Sequence, residues 1–171
     1  MMSGLWSLGE RAAALLTNRG ERIAVCESSS GGLISAALLA VPGASVFYVA
    51  GGVVYTPRAL FGLMNVGKED FRNLGIRSST EGYAAFLAKT IRERVRVDWG
   101  LSESGAAGPT GNGYGDPAGH SVIAVSGKLN QTRILATGSH DRRANMNAFA
   151  IGALTLLVEC LDVGMTSQGG H

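Results

Sequence analysis

Three consecutive serines followed by two glycines, Ser28-Ser29-Ser30-Gly31-Gly32, combine the residue types that acyl transfer and anion binding require. The run follows an apolar stretch over residues 23–26, which is typical of a buried strand, and Glu27 stands at the junction. A serine hydroxyl can attack a carbonyl carbon when a base takes its proton, and backbone N–H groups at a helix N-terminus can stabilise the oxyanion. The same run can also cap a helix and bind an anion without covalent chemistry, and spacing alone favours that simpler interpretation.

A second glycine-bearing stretch, residues 105–113, follows another apolar run over residues 99–102. Successive backbone N–H groups in such a stretch can surround a phosphate, although a flexible surface loop has the same composition. A long irregular stretch inside a compact domain favours a functional loop, but neither a P-loop nor a dinucleotide fingerprint is present. Loops at the carboxyl ends of strands build the ligand site of an open α/β sheet, so we expect both stretches to share one polar pocket.

Five further side chains are candidates for the same pocket. Tyr55 ends the second predicted strand and either faces the pocket or packs at its rim. His120 and His140 could each act as a base, although a lone histidine is more often structural or exposed. Arg142 and Arg143, near the start of the last helix, could bind an anion or form a solvated first turn.

Hydrophobic periodicity predicts the elements that position these residues. Helical spacing covers residues 5–16, 33–39, a short helix from Pro57, 78–95 and 142–161, and strand patterns cover 23–26, 46–55, 99–102, 120–125 and 133–137. Residues 66–77 are mixed and stay unassigned. The order α-β-α-β-α-α-β-β-β-α, with an antiparallel hairpin turning at residues 127–130, predicts an α/β fold: a three-layer α/β/α sandwich with a mixed sheet. Residues 1–171 fit one domain, with a frayed tail over residues 165–171.

The composition favours a compact globular protein. Apolar residues make up 46% of the 171 residues and charged residues only 16%, so we expect a partner subunit to cover some of the surface. A net charge of +2 is too small for a nucleic-acid-binding domain, and no apolar run reaches the ~20 residues of a membrane span. No secretory signal pattern is present at the N-terminus. Cys26 and Cys160 form no metal-ligand pattern, so we expect reduced core thiols, no metal and a cytoplasmic location.

Four motifs occur in order along the chain. They are Ala24-Val25-Cys26-Glu27-Ser28-Ser29-Ser30-Gly31-Gly32, Pro42-Gly43-Ala44-Ser45, Gly51-Gly52-Val53-Val54-Tyr55 and Gly105-Ala106-Ala107-Gly108-Pro109-Thr110-Gly111, with Asp141-Arg142 ahead of the last helix. Together they resemble the CinA C-terminal domain family, whose members include the bacterial nicotinamide mononucleotide deamidases. The resemblance covers nearly the whole chain. It implies an α/β/α fold, a homo-oligomer that is a dimer or larger, and hydrolysis of nicotinamide mononucleotide to nicotinic acid mononucleotide and ammonia, without metal or cofactor.

The resemblance also implies roles for individual residues. The family uses a serine–lysine pair, and its nucleophile corresponds to Ser30, just before the two glycines, with Tyr55 as the family tyrosine. We expect a pyridine-mononucleotide-like ligand to be bound by the two glycine stretches and the last helix. The residues concerned are Glu27, Ser28, Ser29, Gly31, Gly32, Gly105, Ala107, Gly108, Thr110, Gly111 and Arg142.

Three positions depart from the family pattern. The family lysine, five residues after the tyrosine, is Leu60 here, and leucine cannot accept a proton. The family arginine early in the last helix is Met146, unless Arg142 or Arg143 takes over its role. The lysine before the proline of the second loop is Asp116, and an aspartate would repel a phosphate that a lysine attracts.

Three interpretations therefore stay open, of which one is a purely structural component of an oligomer that neither binds nor hydrolyses such a ligand. An amidohydrolase would need another base for Ser30, and Glu27, Lys68, His120 or His140 could supply it only if the fold brings one of them close. A non-catalytic relative would bind a nucleotide or another small molecule as a sensor or partner subunit.

Overall fold

The computed structural model describes residues 3–163, in which a five-stranded sheet lies between two layers of helices. The elements, in chain order, are α1 (Ser3–Arg19), β1 (Ile23–Glu27), α2 (Leu33–Leu39), a 3-10 turn (Ala44–Val46), β2 (Tyr48–Val53), α3 (Pro57–Met64), α4 (Lys68–Leu74), α5 (Glu81–Val95), β3 (Trp99–Ala106), β4 (His120–Ser126), β5 (Gln131–Ala136) and α6 (Arg142–Val163). The tail predicted at residues 165–171 lies outside the described residues.

The sheet has the strand order β2-β1-β3-β4-β5. β1 runs parallel to both β2 and β3, whereas β3, β4 and β5 pair antiparallel. The carboxyl ends of β1, β2 and β3 therefore meet at one edge, where the loops that follow them can form a common site. The predicted mixed sheet, the β4–β5 hairpin and the three-layer α/β/α architecture are all confirmed.

Successive side chains of each strand point to opposite faces of the sheet, and helices pack against both faces. Leu101 and Ile123 pack into a core shared with α1, α2 and α6. Val122 and Ala124 point the other way and pack against Ala88 of α5. A separate apolar cluster joins α3 and the segment before α4 to α5 on that second face, so the carboxyl edge of the sheet has helices on both sides.

The bounds of β3 differ from the prediction. The strand continues to Ala106, because Gly105 pairs with Ser121 and Ala106 pairs with His120 of β4. Both residues were expected in the second glycine loop, and both are strand residues instead. Glycine favours a turn locally, but backbone pairing with β4 keeps Gly105 and Ala106 in the strand.

The segment between β2 and α5 also differs from the prediction. Residues 66–77, unassigned from the sequence, contain α4, and the carboxylate of Asp70 accepts the backbone N–H of Gly67 at 2.7 Å just before this helix begins. β2 spans only residues 48–53, and residues 44–46 form the 3-10 turn. α5 begins at Glu81, where the Thr80 hydroxyl accepts the backbone N–H of Tyr83.

The last helix, α6, has the length and apolar composition of a membrane span, with a mean hydropathy of 1.6 over its most apolar window. We did not expect such a run from the sequence. Half of that window is buried, and Ala153, Leu154 and Leu157 are fully buried in the core shared with the sheet, α1 and α2. Packing on several sides explains the apolar composition of α6.

Candidate functional site

The serine run forms a tight turn between β1 and α2, at the carboxyl end of β1. Gly31 and Gly32 have φ values of 67° and 98°, which residues with a Cβ rarely adopt. The two glycines therefore allow the chain to turn directly from the end of β1 into α2, which begins at Leu33.

Glu27 is fully buried beneath this turn and acts as an internal cap for α2. Its Oε2 accepts the Ser30 hydroxyl at 2.7 Å and the Gly32 backbone N–H at 3.0 Å. It also accepts the Ile34 N–H at 3.2 Å, and Oε1 accepts both the backbone N–H and the hydroxyl of Ser35. A carboxylate at a helix N-terminus satisfies free N–H groups and complements the helix dipole.

Glu103, in the middle of β3, is a second buried carboxylate beneath the same turn, and it was missed by sequence reasoning. It accepts the backbone N–H groups of Ser28 at 3.2 Å and Ser30 at 2.8 Å. The hydroxyls of Ser29 and Ser121 also donate to it. The available signal was a charged residue inside an otherwise apolar and small-residue strand pattern, which requires buried partners.

These two carboxylates occupy most of the N–H groups that we expected to bind an external anion. The N–H groups of Ser28 and Ser30 donate to Glu103, those of Gly32, Ile34 and Ser35 donate to Glu27, and those of Gly31 and Leu33 donate to carbonyls of the turn itself. Most N–H groups of the serine–glycine turn therefore already donate hydrogen bonds to groups of the protein itself. The N–H groups of Gly31 and Gly32 are thus engaged within the protein, and ligand binding by Ser29, Gly31 and Gly32 stays a prediction.

The three serines have different environments. Ser28 is half-buried and lines a cavity at the carboxyl edge of the sheet. Ser29 is 4% exposed and Ser30 is fully buried, with their hydroxyls bonded to Glu103 and Glu27. The resemblance assigned the nucleophile to Ser30, but the structure places Ser28 against the cavity, because the turn points Ser29 and Ser30 inward.

The cavity has a volume of about 650 Å³ and lies among the ends of β1 and β3, the segments around α3 and α4, and the start of α5. Its lining consists of Ser28, Val54, Tyr55, Thr56, Pro57, Leu60, Val66, Gly67, Lys68, Phe71, Arg72, Ile76, Arg77, Ser78, Ser79, Tyr83, Ser104, Gly105, Asn112 and Tyr114. Of the residues predicted to act at the site, Ser28, Tyr55 and Gly105 belong to this lining. Ala107 and Gly108 are buried outside it, and Thr110 and Gly111 are exposed on the loop.

Aromatic and cationic side chains dominate the chemistry of the cavity wall. The rings of Phe71 and Tyr83 lie 4.9 Å apart, and burial raises the pKa of Tyr83 to about 12, so that its hydroxyl stays protonated. Lys68, Arg72 and Arg77 contribute the cations. Within residues 3–163, no aspartate or glutamate lines the cavity.

Leu60 and Met146 occupy the two family positions where a cation was expected. Leu60 is 6% exposed and packs with Val54 and Met64 in the apolar cluster beneath the cavity. Met146 lies against the serine turn, where its Cε stands close to Gly31. Neither side chain can exchange a proton. Met146 is an apolar neighbour of the serine turn, and Leu60 is an apolar part of the cavity floor.

The alternative bases do not reach a serine of the turn, apart from Glu27. His120 Nε2 hydrogen-bonds the carbonyl of Ser79 at 3.0 Å, and His140 Nδ1 hydrogen-bonds the carbonyl of Pro109 at 2.8 Å. Among the hydrogen bonds of the described residues, none joins a lysine or histidine to a hydroxyl of the serine run.

Arg142, at the start of α6, links the second loop to the end of β2. Its guanidinium donates to the carbonyl of Gly108 at 2.7 Å and to the Tyr55 hydroxyl at 3.1 Å. Tyr55 is 58% exposed and lines the cavity, so both interpretations of this residue apply: it faces the cavity and stands at its rim. Asn145 also holds this loop, by donating to the carbonyl of Ala107 at 2.8 Å.

Asp116 pairs with Arg77 rather than standing alone in the second loop. The guanidinium donates to both carboxylate oxygens at 3.1 Å, and Asn112 donates to one of them at 2.8 Å. The hydrogen bond from Arg77 lowers the pKa of Asp116, and the same bond raises the pKa of Arg77. The expected repulsion of a phosphate by Asp116 is therefore offset by the adjacent guanidinium.

The buried thiols lie apart from this chemistry. Cys26 and Cys160 are both free and buried, as expected. Burial raises the pKa of Cys26 to about 12 and that of Cys160 to about 11, so neither is a nucleophile near neutral pH. No cluster of His, Cys, Asp or Glu with metal-binding geometry occurs in the described part of the chain.

The fold and the site together define the class: an α/β/α domain with a mixed sheet, whose ligand-sized cavity lies at the carboxyl ends of the parallel strands. The family model of the CinA C-terminal domain matches residues 6–161. This chain belongs to the CinA C-terminal domain family.

The chain is similar to curated relatives and to solved structures. It is 30% identical over 165 residues to a CinA-like protein of Desulforapulum autotrophicum, covering 96% of this chain and 38% of that protein. It is 36% identical over 121 residues to a CinA-like protein of Parasynechococcus marenigrum, covering 71% of this chain and 28% of that protein. The chain thus spans about a third of the length of these relatives.

Among solved structures, the chain resembles a CinA superfamily protein from Klebsiella pneumoniae, with a TM-score of 0.83 and 28% identity over 92% of this chain and 98% of that one. It also resembles a competence/damage inducible protein from Agrobacterium tumefaciens, with a TM-score of 0.82, 26% identity, and coverage of 93% and 96%.

Proposed function

We propose that this domain binds a small aromatic anion of the pyridine-mononucleotide class in the cavity at the carboxyl edge of the sheet, and hydrolyses it slowly or not at all. The observation that carries the proposal is the cavity itself, which has a volume of about 650 Å³ and a wall that combines aromatic rings, cations and the Ser28 hydroxyl. Aromatic and apolar side chains suit a planar ring, and a few charged groups suit a phosphate.

Slow hydrolysis is expected because the site lacks a proton acceptor for the serine. General-base catalysis typically contributes ~10²–10⁴-fold to such a reaction. Leu60 cannot act as a base, and the guanidinium groups at the cavity stay protonated. Glu27 bonds to Ser30 and not to Ser28, and its two oxygens already accept hydrogen bonds from the turn and α2.

Carboxamide hydrolysis of nicotinamide mononucleotide is the second candidate, and the position of Ser28 favours it. Ser28 is the serine of the run that lines the cavity, and it follows directly after β1. If the chain hydrolyses an amide, we propose Ser28 rather than Ser30 as the nucleophile, with Tyr55 and Arg142 at the rim.

Calorimetry and an ammonia assay on the same protein separate the two candidates. We expect saturable heats with nicotinamide mononucleotide, and no ammonia above the level of a Ser28→Ala variant. Ammonia that disappears in Ser28→Ala but persists in Ser30→Ala would establish the hydrolase instead. No binding of nicotinamide mononucleotide, nicotinic acid mononucleotide or adenosine monophosphate would contradict both candidates.

We also propose that the protein acts in the cytoplasm as a homo-oligomer. Exposed apolar side chains on α2 and around the edge strand β2 support this proposal, because a partner subunit would cover them. They are Leu39, Val46, Val49 and Val53.

A further inference from the structure

We infer that the phosphate of the ligand is bound by Lys68 and Arg72 on α4, at what we call the α4 wall of the cavity, and not by either glycine stretch. This inference rests on the proposed function and assigns one end of the ligand to one wall. It differs from the sequence expectation, which placed the anion at the serine–glycine turn and the second loop.

The serine–glycine turn has little capacity to bind an anion. The N–H groups of Ser28 and Ser30 donate to Glu103, that of Gly32 donates to Glu27, and those at 31 and 33 donate to carbonyls of the turn itself. Both carboxylates are buried, and no cationic side chain is among their hydrogen-bond partners in the described residues. A phosphate placed at this turn would meet two buried negative charges without a compensating cation.

Beside the second loop, Arg77 lines the cavity but is already paired with Asp116 of the loop, and Arg142, which does not line the cavity, donates to the Gly108 carbonyl and the Tyr55 hydroxyl. Arg77 donates to both oxygens of Asp116 and to the carbonyl of Tyr114. The Asn112 side chain is bonded to Asp116 and to two backbone N–H groups of the loop. A phosphate would have to displace a bidentate ion pair here, so this wall is a poor site for it.

Helix α4, in contrast, presents two cations to the same cavity. Lys68 and Arg72 are four residues apart on one helix, so their side chains lie on one face, and both line the cavity. Lys68 has no ion-pair partner among residues 3–163. Arg72 pairs with Glu69 at 2.7 Å, but both side chains are about 70% exposed, and exposed pairs of this kind contribute little and exchange readily.

Of the two acidic residues of α4, Glu69 competes with a phosphate only through its exposed ion pair with Arg72. Glu69 and Asp70 lie on the same helix but do not line the cavity, and Asp70 is occupied by the backbone N–H of Gly67. A phosphate at the α4 wall would leave the rest of the ligand beside Phe71 and Tyr83, and towards the serine hydroxyls at the strand ends.

The test compares a ligand with and without its phosphate. Calorimetric titrations of wild type, Lys68→Met and Arg72→Met use nicotinamide mononucleotide and nicotinamide riboside. Arg58→Met is the matched control, because Arg58 is an exposed cation of the neighbouring α3 that does not line the cavity. We expect each α4 variant to bind the mononucleotide about tenfold more weakly and the riboside unchanged, since a charge-assisted hydrogen bond to phosphate is lost. Arg58→Met should match wild type.

Three outcomes would overturn the inference. If the α4 variants bind the mononucleotide like wild type, the phosphate lies elsewhere while the proposed function stands. If they lose affinity for the mononucleotide and the riboside equally, the residues do not contact the phosphate. If wild type binds neither ligand, the proposed function fails and this inference fails with it.

Discussion

Leu60 places a hydrocarbon in the cavity wall at the position where the family resemblance indicates a lysine. Its neighbours Val54, Met64 and Val66 form an apolar cluster, so leucine is stabilised there by burial, worth about 2 kcal/mol for a side chain of this size. The substitution therefore removes a proton acceptor and adds core packing at the same time. Ser28, which lines the same cavity, is left without a base.

Restoring the amine should restore chemistry. Leu60→Lys is expected to raise ammonia release from nicotinamide mononucleotide at least tenfold over wild type, because general-base assistance contributes ~10²–10⁴-fold when geometry permits. The cost in stability should be about 1–3 kcal/mol, since the lysine stem can pack while the amine reaches the cavity. Initial rates and urea unfolding measure the two effects.

Leu60→Met is the matched control, because it keeps an apolar side chain of similar size and should leave the rate unchanged. The gain should vanish in the Leu60→Lys, Ser28→Ala double variant. A gain that survives there but is lost with Ser30→Ala would return the nucleophile to Ser30.

At the scale of elements, the position of α5 on the sheet depends on a close approach to β3. A Cβ on Gly100 would meet the carbonyl oxygen of Ala88 and the Cβ of Arg92, both on α5. The backbone of a packed helix cannot move away locally, so the space at Gly100 determines how close α5 lies to β3. Tyr83, at the start of α5, then lines the cavity.

We expect Gly100→Ala to lower the free energy of unfolding by about 1–3 kcal/mol through overpacking against α5. Gly62→Ala is the control, because Gly62 lies inside α3 with nothing within 4 Å of an added Cβ. Alanine should stabilise that helix by about 0.5–1 kcal/mol. Urea unfolding of both variants measures the difference, and equal effects would show that the β3–α5 contact adjusts freely.

At the scale of the whole molecule, the two ends of the sheet have different roles. The cavity lies at the carboxyl ends of the parallel strands, whereas a buried ionic cluster around Glu21 lies at their amino ends. Glu21 accepts Arg19 Nε at 2.7 Å, Trp99 Nε1 at 2.6 Å and the Lys128 amine, and so connects α1, β3 and the β4–β5 turn. The cavity and the Glu21 cluster therefore lie at opposite ends of the parallel strands.

The Glu21 cluster makes the free energy of unfolding depend on pH in the acidic range. Burial by itself raises the pKa of Glu21, but the hydrogen bonds from Arg19, Lys128 and Trp99 outweigh it and lower the pKa from 4.5 to about 2. Because the folded-state pKa is depressed, the stabilisation is complete above pH 4.5 and is lost as pH falls towards 2. At one pKa unit per ~1.4 kcal/mol, this group contributes on the order of 3–4 kcal/mol.

Urea unfolding between pH 7 and pH 2 checks this dependence. Glu21→Gln should be less stable than wild type at pH 7, and the difference should shrink as pH falls from 4.5 towards 2. Glu10→Gln, on the exposed surface of α1, is the control and should follow wild type. A Glu21→Gln difference that stays constant with pH would mean that the ionised carboxylate is not what stabilises the fold.

Much of the architecture could be predicted because it depends on neighbouring residues. Apolar periodicity indicated the strands and most helices, and the glycines at 31 and 32 marked a turn that needs positive φ. The exceptions are informative: α4 was unassigned because its sequence has too few apolar residues to show a period, and Gly105 was placed in a loop because a strand ladder leaves no local signal.

By itself, the sequence determined the order of the strands and of the helices other than α4, the mixed sheet and the glycine-dependent turn, since each follows from residue type and short-range spacing. The lysine expected at Leu60 was implied by the family resemblance and not by spacing. Only the tertiary structure decided that Ser28 faces the cavity, that Glu103 accepts the Ser28 N–H from a position 75 residues along the chain, and that α4 places two cations at the cavity. Such contacts join distant parts of the chain, and their geometry exists only when the helices have packed against the sheet.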